Sequence, residues 1–487
     1  MSRSERQLDR RTVLKAGGLL AAATAAGVGA APPASAGAAA PDWAALDRAV
    51  AGTVFRPGVT GYTASHQLFN PRFDSVQPAA VVRAGSVEDV RQAILFAKKN
   101  NLVCVPKGGG HSYVGASAVT NGMMIDLGPL RGLTYASNAV QIGAGARLYD
   151  VHAYLDKYAR SLPTGTCPTV GIAGLTLGGG LGIHTRTYGP TSDRVLSMQV
   201  VTADGMVRTA SPTQNADLYW ALRGGGGGNL GIVTSFRLAT IGAGKLGFFR
   251  LTWPESQAAA VLKGWQRFAK EAPSTSWANL HITGTSSGGL SIHVVGVSTT
   301  GSATAAAAQL EWMIGAKGAT RSISVKTHLE AVKYLGGGTT SPREGWLAGS
   351  DVLRGPMDAT TISGVLGAVK TAAKAGVAAS AIIDPLGGQA AKEPPGGSAW
   401  PWRSALGVIQ WYSGLPSPPT TAQLRAAQAF VTNGHHAVTK FSAGGYINYL
   451  EAGRSNASYY GGSLARLHAI KQKYDPTNFF HAPYTFA

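Results

Sequence analysis

Two side chains combine reactive chemistry with a loop setting. His111 closes the run Lys107-Gly108-Gly109-Gly110-His111-Ser112-Tyr113, and Cys167 lies in Thr164-Gly165-Thr166-Cys167-Pro168-Thr169. The chain has one other cysteine, Cys104, in the apolar strand-like run Leu102–Pro106, where a buried thiol that only packs is expected. A disulfide between the two is the alternative, but a single bridge adds little to a chain of 487 residues. One embedded thiol and one chemically used thiol fits the two settings better. For His111 the plain alternative is packing or hydrogen bonding.

The glycines around these residues suggest what they serve. Gly108–Gly110, the block Gly165–Gly189 and the run Arg223–Val233, which contains Gly224–Gly228, each follow a strand-like segment. Exposed backbone N–H groups in such loops bind phosphates, and the absence of Cβ lets the backbone approach a ligand closely. A P-loop would need GxxxxGK[ST], which is missing. A Rossmann fingerprint would need GxGxxG between a first strand and its helix, and Gly178–Gly182 is not in that setting. An extended dinucleotide lying across the first half of the chain remains, with ligand-free flexible loops as the alternative. No HExxH and no Cys/His cluster of zinc spacing is present, so no metal is expected, and His435-His436 is expected to be a solvated pair before a strand.

The elements that would position these loops are legible in part. Ala79–Arg83 and Leu102–Pro106 predict strands flanking a helix capped by Ser86 and Asp89, with Val87, Val90, Ile94 and Ala97 on one face. Short strands are expected near Met123–Leu127 and Ala139–Ile142, then a helix burying Leu148, Val151, His152 and Leu155. From about residue 245 to 440 the pattern changes. Alternating runs at Leu246–Trp253, Leu290–Val297 and Leu406–Tyr412 interleave with helical stretches near Glu255–Lys270, Ala303–Ile314 and Thr360–Ala373. That predicts an antiparallel sheet backed by helices, an α+β class. Glu393–Pro401 reads as a surface loop.

Composition sets outer bounds. At 45% hydrophobic and 14% charged residues the chain can bury a large core. The net charge of +19 would suit a polyanion, but no run of five Lys/Arg and no nucleic-acid motif accompanies it, so no nucleic-acid partner is expected. Residues 1–36 read as a twin-arginine export signal: Arg10-Arg11-Thr12-Val13-Leu14-Lys15, an apolar stretch to Ala31, then Ala34-Ser35-Ala36 as a cleavage site. The expectation is a secreted protein that meets the twin-arginine machinery, folds before export and stays off the membrane after cleavage.

Lys107–Tyr113, Pro163–Gly189 and Arg223–Val233 resemble the berberine bridge enzyme-like flavin oxidases of the vanillyl-alcohol oxidase superfamily. So do Tyr446-Ile447-Asn448-Tyr449, Tyr459-Tyr460-Gly461-Gly462 and Lys471–Phe480 near the C-terminus. The resemblance implies a two-part PCMH-type FAD-binding domain at 42–242, a substrate domain at 243–440, and a closing segment at 441–487 that returns to the flavin. It implies FAD held by two covalent links, the 8α position to His111 and C6 to Cys167. Gly108, Gly109 and Gly110 would bend around the pyrophosphate, with Lys107 and Ser112 beside them also binding the cofactor. Gly171, Gly174, Gly178, Gly179, Gly180 and Gly182 would line the flavin, Ile232 and Val233 the adenosine side, and Asn448 and Asn478 would close the site. Val170 stands at the oxygen gatekeeper position of the family, which favours an oxidase.

The implied reaction is hydride transfer to flavin N5 with O₂ as final acceptor and H₂O₂ as product. Tyr449 is the expected base and Tyr446 the second choice. A phenol titrates near 10, so it would need nearby positive charge or the flavin to act at neutral pH. Gln410 and Tyr412 share one strand face by alternation and would orient the substrate. Trp400-Pro401-Trp402-Arg403 replaces the Phe-Pro-His-Arg-like run of the family, so no histidine acts there, and His184 reads as structural. Oligosaccharides are the favoured substrates, with Trp402 and Trp411 expected to be exposed and to stack on sugar rings. A secondary-metabolite alcohol is the competing small-molecule substrate, and an idle polyanion-binding protein the contrasting class.

Overall fold

A computed structural model describes residues 40–482 and 484–486, so the export signal read in residues 1–36 lies outside the described residues. The helix Val87–Lys99 begins where Ser86 Oγ accepts the Asp89 N–H, and its Val90, Ala93, Ile94 and Ala97 are fully buried. Apolar burial of this kind stabilises by about 1.5–3 kcal/mol per large side chain. The helix crosses between strands Ala80–Arg83 and Cys104–Lys107, which both pair in parallel with Met123–Asp126 between them. With Thr53–Phe55 at one edge these make a sheet of four strands. A second, antiparallel sheet orders Leu133–Ala136, Ala139–Gly143, Ile232–Ala239, Val195–Val201 and Val207–Ala210.

The remaining large sheet has eight antiparallel strands, from Thr320–Lys326 at one edge to Ser442–Gly444 at the other. Between them lie Leu246–Trp253, Leu290–Ser298, Ser276–Gly284, Ala379–Pro385, Gly407–Leu415 and Gly345–Leu353. The alternate residues Phe249, Leu251, Leu280, Ile383, Ile409 and Trp411 pack with the helices Ala258–Glu271, Ala303–Ile314, Ala359–Lys374 and Thr421–Val438 in one apolar core. Period-two alternation therefore turns the intervening residues to the opposite face, which looks onto the glycine loops.

Trp43–Ala487 form one compact unit, and buried polar anchors knit its parts. Arg186 donates to the carbonyls of Ala269, Ala272, Ser276 and Leu386, tying a glycine-loop helix to the large sheet. Its burial lowers its pKa to about 10. The C-terminal segment comes back to the third glycine loop: Lys471 Nζ donates to Asn229 O at 2.7 Å, Tyr460 Oη to Gly225 O at 3.2 Å, and Phe486 N to Asn229 Oδ1 at 3.1 Å.

Two sequence expectations change here. His435 is no solvated residue before a strand. It lies in the helix Thr421–Val438, with Nδ1 2.6 Å from Asp351 Oδ2 and Nε2 2.6 Å from Glu451 Oε2. The 393–401 loop is exposed only over its first part: Ala399 and Trp400 are buried, and Arg223 holds the carbonyls of Pro395 and Gly397.

Candidate active site

Gly109 and Gly171 touch backbone to backbone. A Cβ on either would collide with the amide nitrogen of the other, so both positions require glycine. Gly110 has φ 71°, a left-handed conformation that turns the chain and presents His111. These constraints bring the first two glycine loops together, and the third, with Gly226 and Gly228 also at positive φ, joins them at the far end.

The three loops and the inner face of the large sheet enclose a cavity of about 820 Å³. That lies within the range of small-molecule and cofactor sites. Gly108, Gly109, Gly110, His111, Ser112, Cys167, Val170, Gly171, Gly174, Gly182, Ile232, Val233, Gln410, Tyr412, Tyr446, Asn448 and Tyr449 all line it. Lys107, Gly178, Gly179, Gly180 and Asn478 do not. Lys107 Nζ instead donates to Ser65 O at 2.6 Å and pairs with Asp126 at 3.5 Å. Gly178 backs onto the Asn448 side chain, and the Gly180 N–H donates to Tyr446 Oη at 2.9 Å. Asn478 sits in a turn at φ 50°, its buried Oδ1 without a partner.

One hydroxyl relates the two reactive side chains. Thr169 Oγ1 is 3.0 Å from His111 Nε2 and 3.9 Å from Cys167 Sγ. The His111 ring stacks on Phe69 at 4.0 Å and is held neutral, its pKa lowered to about 4 by burial and then by Arg147. Cys167 is a free thiol on the cavity wall. Cys104 is free and buried, its thiol pushed up to about 12, so the two form no disulfide.

Four tyrosines gather opposite. Tyr113 stacks on Tyr449 at 5.1 Å, and Tyr449 meets Tyr446 edge-on at 5.0 Å. Tyr446 Oη accepts from Gly180 N and, at 2.9 Å, from Asn448 Nδ2, which also donates to Leu175 O. Gln410 Nε2 donates to Tyr113 Oη, and Tyr412 Oη donates to Glu344 at 3.3 Å. Burial pushes all four phenols upward. For Tyr449 the further influences are Asp384, Tyr446 and Cys167, which raise it again; no positive charge is among them.

Sequence reading did not single out Asp384, and it is the group best matched to proton transfer. It lines the cavity from strand Ala379–Pro385, and burial raises its carboxyl to about 7, opposed by the Asn279 Nδ2 hydrogen bond at 2.9 Å. Thr169 and Trp346 were missed as well. Trp402 and Trp411, expected to be exposed for sugar stacking, are buried; Trp411 Nε1 donates to Asp351 Oδ2 at 2.9 Å behind the sheet. The aromatic rings that do line the cavity beside His111 are Phe69 and Trp346.

A loop-lined, elongated cavity with a reactive His and Cys at one point and phenols and a carboxyl beside it defines a cofactor-dependent oxidoreductase. Comparisons with known proteins say which. Residues 78–211 match the FAD binding domain family, and residues 445–484 match the family described as berberine and berberine like. The chain is 30% identical to the FAD-linked oxidoreductase YgaK of Bacillus subtilis, itself uncharacterised, over 83% of this chain and 90% of that one. It is likewise 30% identical to a carbohydrate oxidase of Microdochium nivale, over 88% and 91%. Among solved structures, the BBE-like 1 protein of Physcomitrella patens superposes with a TM-score of 0.83 at 25% identity, covering 91% of this chain and 98% of that one. The chain belongs to the berberine bridge enzyme-like FAD-linked oxidoreductases.

The cavity fits FAD on its own terms. The dovetailed Gly109 and Gly171 leave backbone, not side chains, along its wall, and Gly226–Gly228 extend that wall. His111, Cys167, Gly171 and Gly174 would hold the ring end, with Ile232 and Val233 toward the adenosine end.

Proposed function

We propose that the chain is an exported oxidase that converts a carbohydrate hemiacetal carbon to a lactone, with FAD tethered to both His111 and Cys167. The observation that carries the reading is the convergence of those two side chains on Thr169, in one cavity with Tyr449 and Asp384. The named carbohydrate and xylooligosaccharide oxidase relatives support a sugar substrate. FAD, when held by His111, Cys167 and the glycine loops, would supply the hydride acceptor for the substrate C–H bond, and O₂ would take up the two electrons with the two hydrogens from the substrate C–H and O–H to give H₂O₂.

The protein handles the other proton. Removing hydride from carbon requires the hydroxyl proton to leave, and a base titrating near the working pH serves best. Asp384, at about 7, meets that condition, whereas Tyr449 is held protonated and relays or hydrogen-bonds. The pair Gln410–Tyr113 and the pair Tyr412–Glu344 fix the rims against which the sugar ring is oriented. Val170 lies on the wall beside Cys167, where it would leave oxygen a path.

The test is direct. Purified protein should be yellow, its colour should stay with the acid-precipitated polypeptide, and a sugar panel should yield one peroxide per lactone. Colourless protein from riboflavin-replete cells, or peroxide from none of the sugars, would overturn the reading.

A further inference from the structure

The segment that carries Tyr446, Asn448 and Tyr449 is fastened by groups that do not line the cavity. Strand Ser442–Gly444 pairs with Gly345–Leu353 only at Val352 and Leu353. Ser350 lies beyond that pairing and turns instead to the chain that follows. Its N–H donates to Glu451 Oε1 at 3.0 Å, its C=O accepts from Arg454 Nη1, and its Oγ accepts the Tyr446 N–H at 3.0 Å. Glu451 can come this close because Gly349 leaves room: a Cβ there would lie 2.3 Å from Glu451 Oε2.

His435, from the helix Thr421–Val438, completes the arrangement. Its ring bridges Asp351 Oδ2 and Glu451 Oε2, at 2.6 Å each. Asp351 is fixed in turn by Trp411 Nε1 and Ser442 Oγ. A neutral imidazole has one N–H, so it would turn a lone pair on one of the two carboxylates; the geometry calls for the imidazolium. The charged and titratable groups facing His435 are Asp351 from the strand, Glu451 and Arg454 from the closing segment, and Tyr459, whose Oη accepts the Glu451 N–H at 2.8 Å. Two cations thus balance two carboxylates.

We propose that His435 is a positioning residue for the oxidation: its imidazolium fastens Glu451 to the large sheet and so holds Tyr449, two residues earlier in the chain, on the cavity wall. The proposal rests on the oxidase reading above. Tyr449 depends on its backbone for placement. Its hydroxyl bonds to no described residue, and its ring is held by contacts with Tyr113 and Tyr446. The short turn Ile447–Tyr449 is anchored at one end by Tyr446, through Ser350 and Gly180, and at the other by Glu451. Burial alone would lower the His435 pKa, but the hydrogen bonds from Asp351 and Glu451 outweigh it and raise the value to about 9. Above that pH one anchor loosens.

The test uses the holoenzyme, His435→Gln and His435→Lys, each kept well below its own thermal midpoint, with cellotriose, xylotriose and maltotriose in air. Parent kcat should fall as pH climbs through about 9. His435→Gln should lower kcat at pH 7.5 by roughly tenfold, since a misplaced group can cost up to about 10²-fold, and should lose the alkaline limb with little change in KM. His435→Lys keeps the charge, so it should restore most of kcat and carry the limb to higher pH. In a Tyr449→Phe background His435→Gln should cost almost nothing further, because the two act through one group. Hydrogen exchange gives a readout independent of turnover. At pH 7.5 the amides of Tyr446, Tyr449 and Glu451, each hydrogen-bonded in the parent, should exchange roughly tenfold faster in His435→Gln, while Val87–Lys99 keeps the parent rate. An alkaline limb unmoved in His435→Lys, or full additivity with Tyr449→Phe, would overturn the positioning role and leave the oxidase standing. If no sugar yielded peroxide, the oxidase reading would fail. Unchanged exchange in Tyr446–Glu451 would then sink the anchor as well, whereas faster exchange confined to that segment would uphold it.

Discussion

Asp384 holds its proton up to about 7 because its carboxyl is taken out of water with one amide donor, Asn279 Nδ2, to replace hydration. If it is the proton acceptor, kcat/KM should rise with pH through a limb near 7. Asp384→Asn should remove that limb and lower kcat by roughly 10²–10⁴-fold, the usual share of general base catalysis. A pH–rate profile with the limb intact in the variant would reassign the base. The tethers are also a residue-scale matter. Cys167→Ala should leave the flavin on acid-precipitated protein through His111, while the double variant with His111→Ala should release it to the supernatant. Absorbance of the two fractions reads the result. His111 and Cys167 were legible because their loops are unusual runs. Thr169, which lies between them in space, gave no such signal: a threonine after a Cys-Pro pair is unremarkable until the loop folds.

Backbone geometry governs the next scale. Gly109 and Gly171 leave no room for a side chain between the two loops they belong to. Gly109→Ala should force the loops apart, costing about 1–3 kcal/mol as an overpacked site does, and should lower flavin content in step with the thermal midpoint. Full flavin loading at an unchanged midpoint would contradict that. The strand Gly407–Leu415 shows how far pattern reading reached. Alternation correctly put Gln410 and Tyr412 on one face, and by the same rule it put Trp411 on the other, behind the sheet, where no sugar can stack. Asp384 escaped notice because its face of Ala379–Pro385 mixes Ser380 and Ile382 with it, and a single carboxyl near a strand end reads as an ordinary solvent-facing residue until the sheet is seen to close over the cavity. The helices Thr421–Val438 and His328–Leu335 did carry a usable signal, the capping boxes Thr420/Gln423 and Thr327/Glu330.

The whole molecule has opposing titrations built into it, and they fix where it is most stable. Three histidines, His152, His184 and His328, form a buried chain linking a helix, a glycine loop and the large-sheet region, with His184 Nε2 3.1 Å from His328 Nδ1 and His152 Nδ1 3.2 Å from His328 Nε2. Burial keeps them neutral, His152 at about 4, His184 at about 3, and His328 also far below its usual value. Their unfolded counterparts take up protons below about 6.5, so stability is full above that pH and falls as pH drops toward 4. Asp384 works against this with a single proton, held in the folded state up to about 7. His111, His281 and His293, also held well below their usual range by burial, add to the three, so acid destabilises. His435 gives the opposite limb: despite burial, Asp351 and Glu451 raise it to about 9. A raised folded value means a contribution complete below 6.5 and lost as pH climbs through about 9, worth at most about 3 kcal/mol. Arg454 stays charged beside the same carboxylates, at 3.2 Å from Asp351 and 2.7 Å from Glu451, so the cluster weakens without dissolving. Urea midpoints measured at pH 4.5, 6.5 and 9.5 should therefore peak at 6.5. His435→Gln should flatten the alkaline side and lower the stability at pH 6.5 by at most about 3 kcal/mol, since Arg454 still compensates the carboxylates in part. A variant whose midpoint still falls between 6.5 and 9.5 as steeply as the parent would show that another group sets that limb.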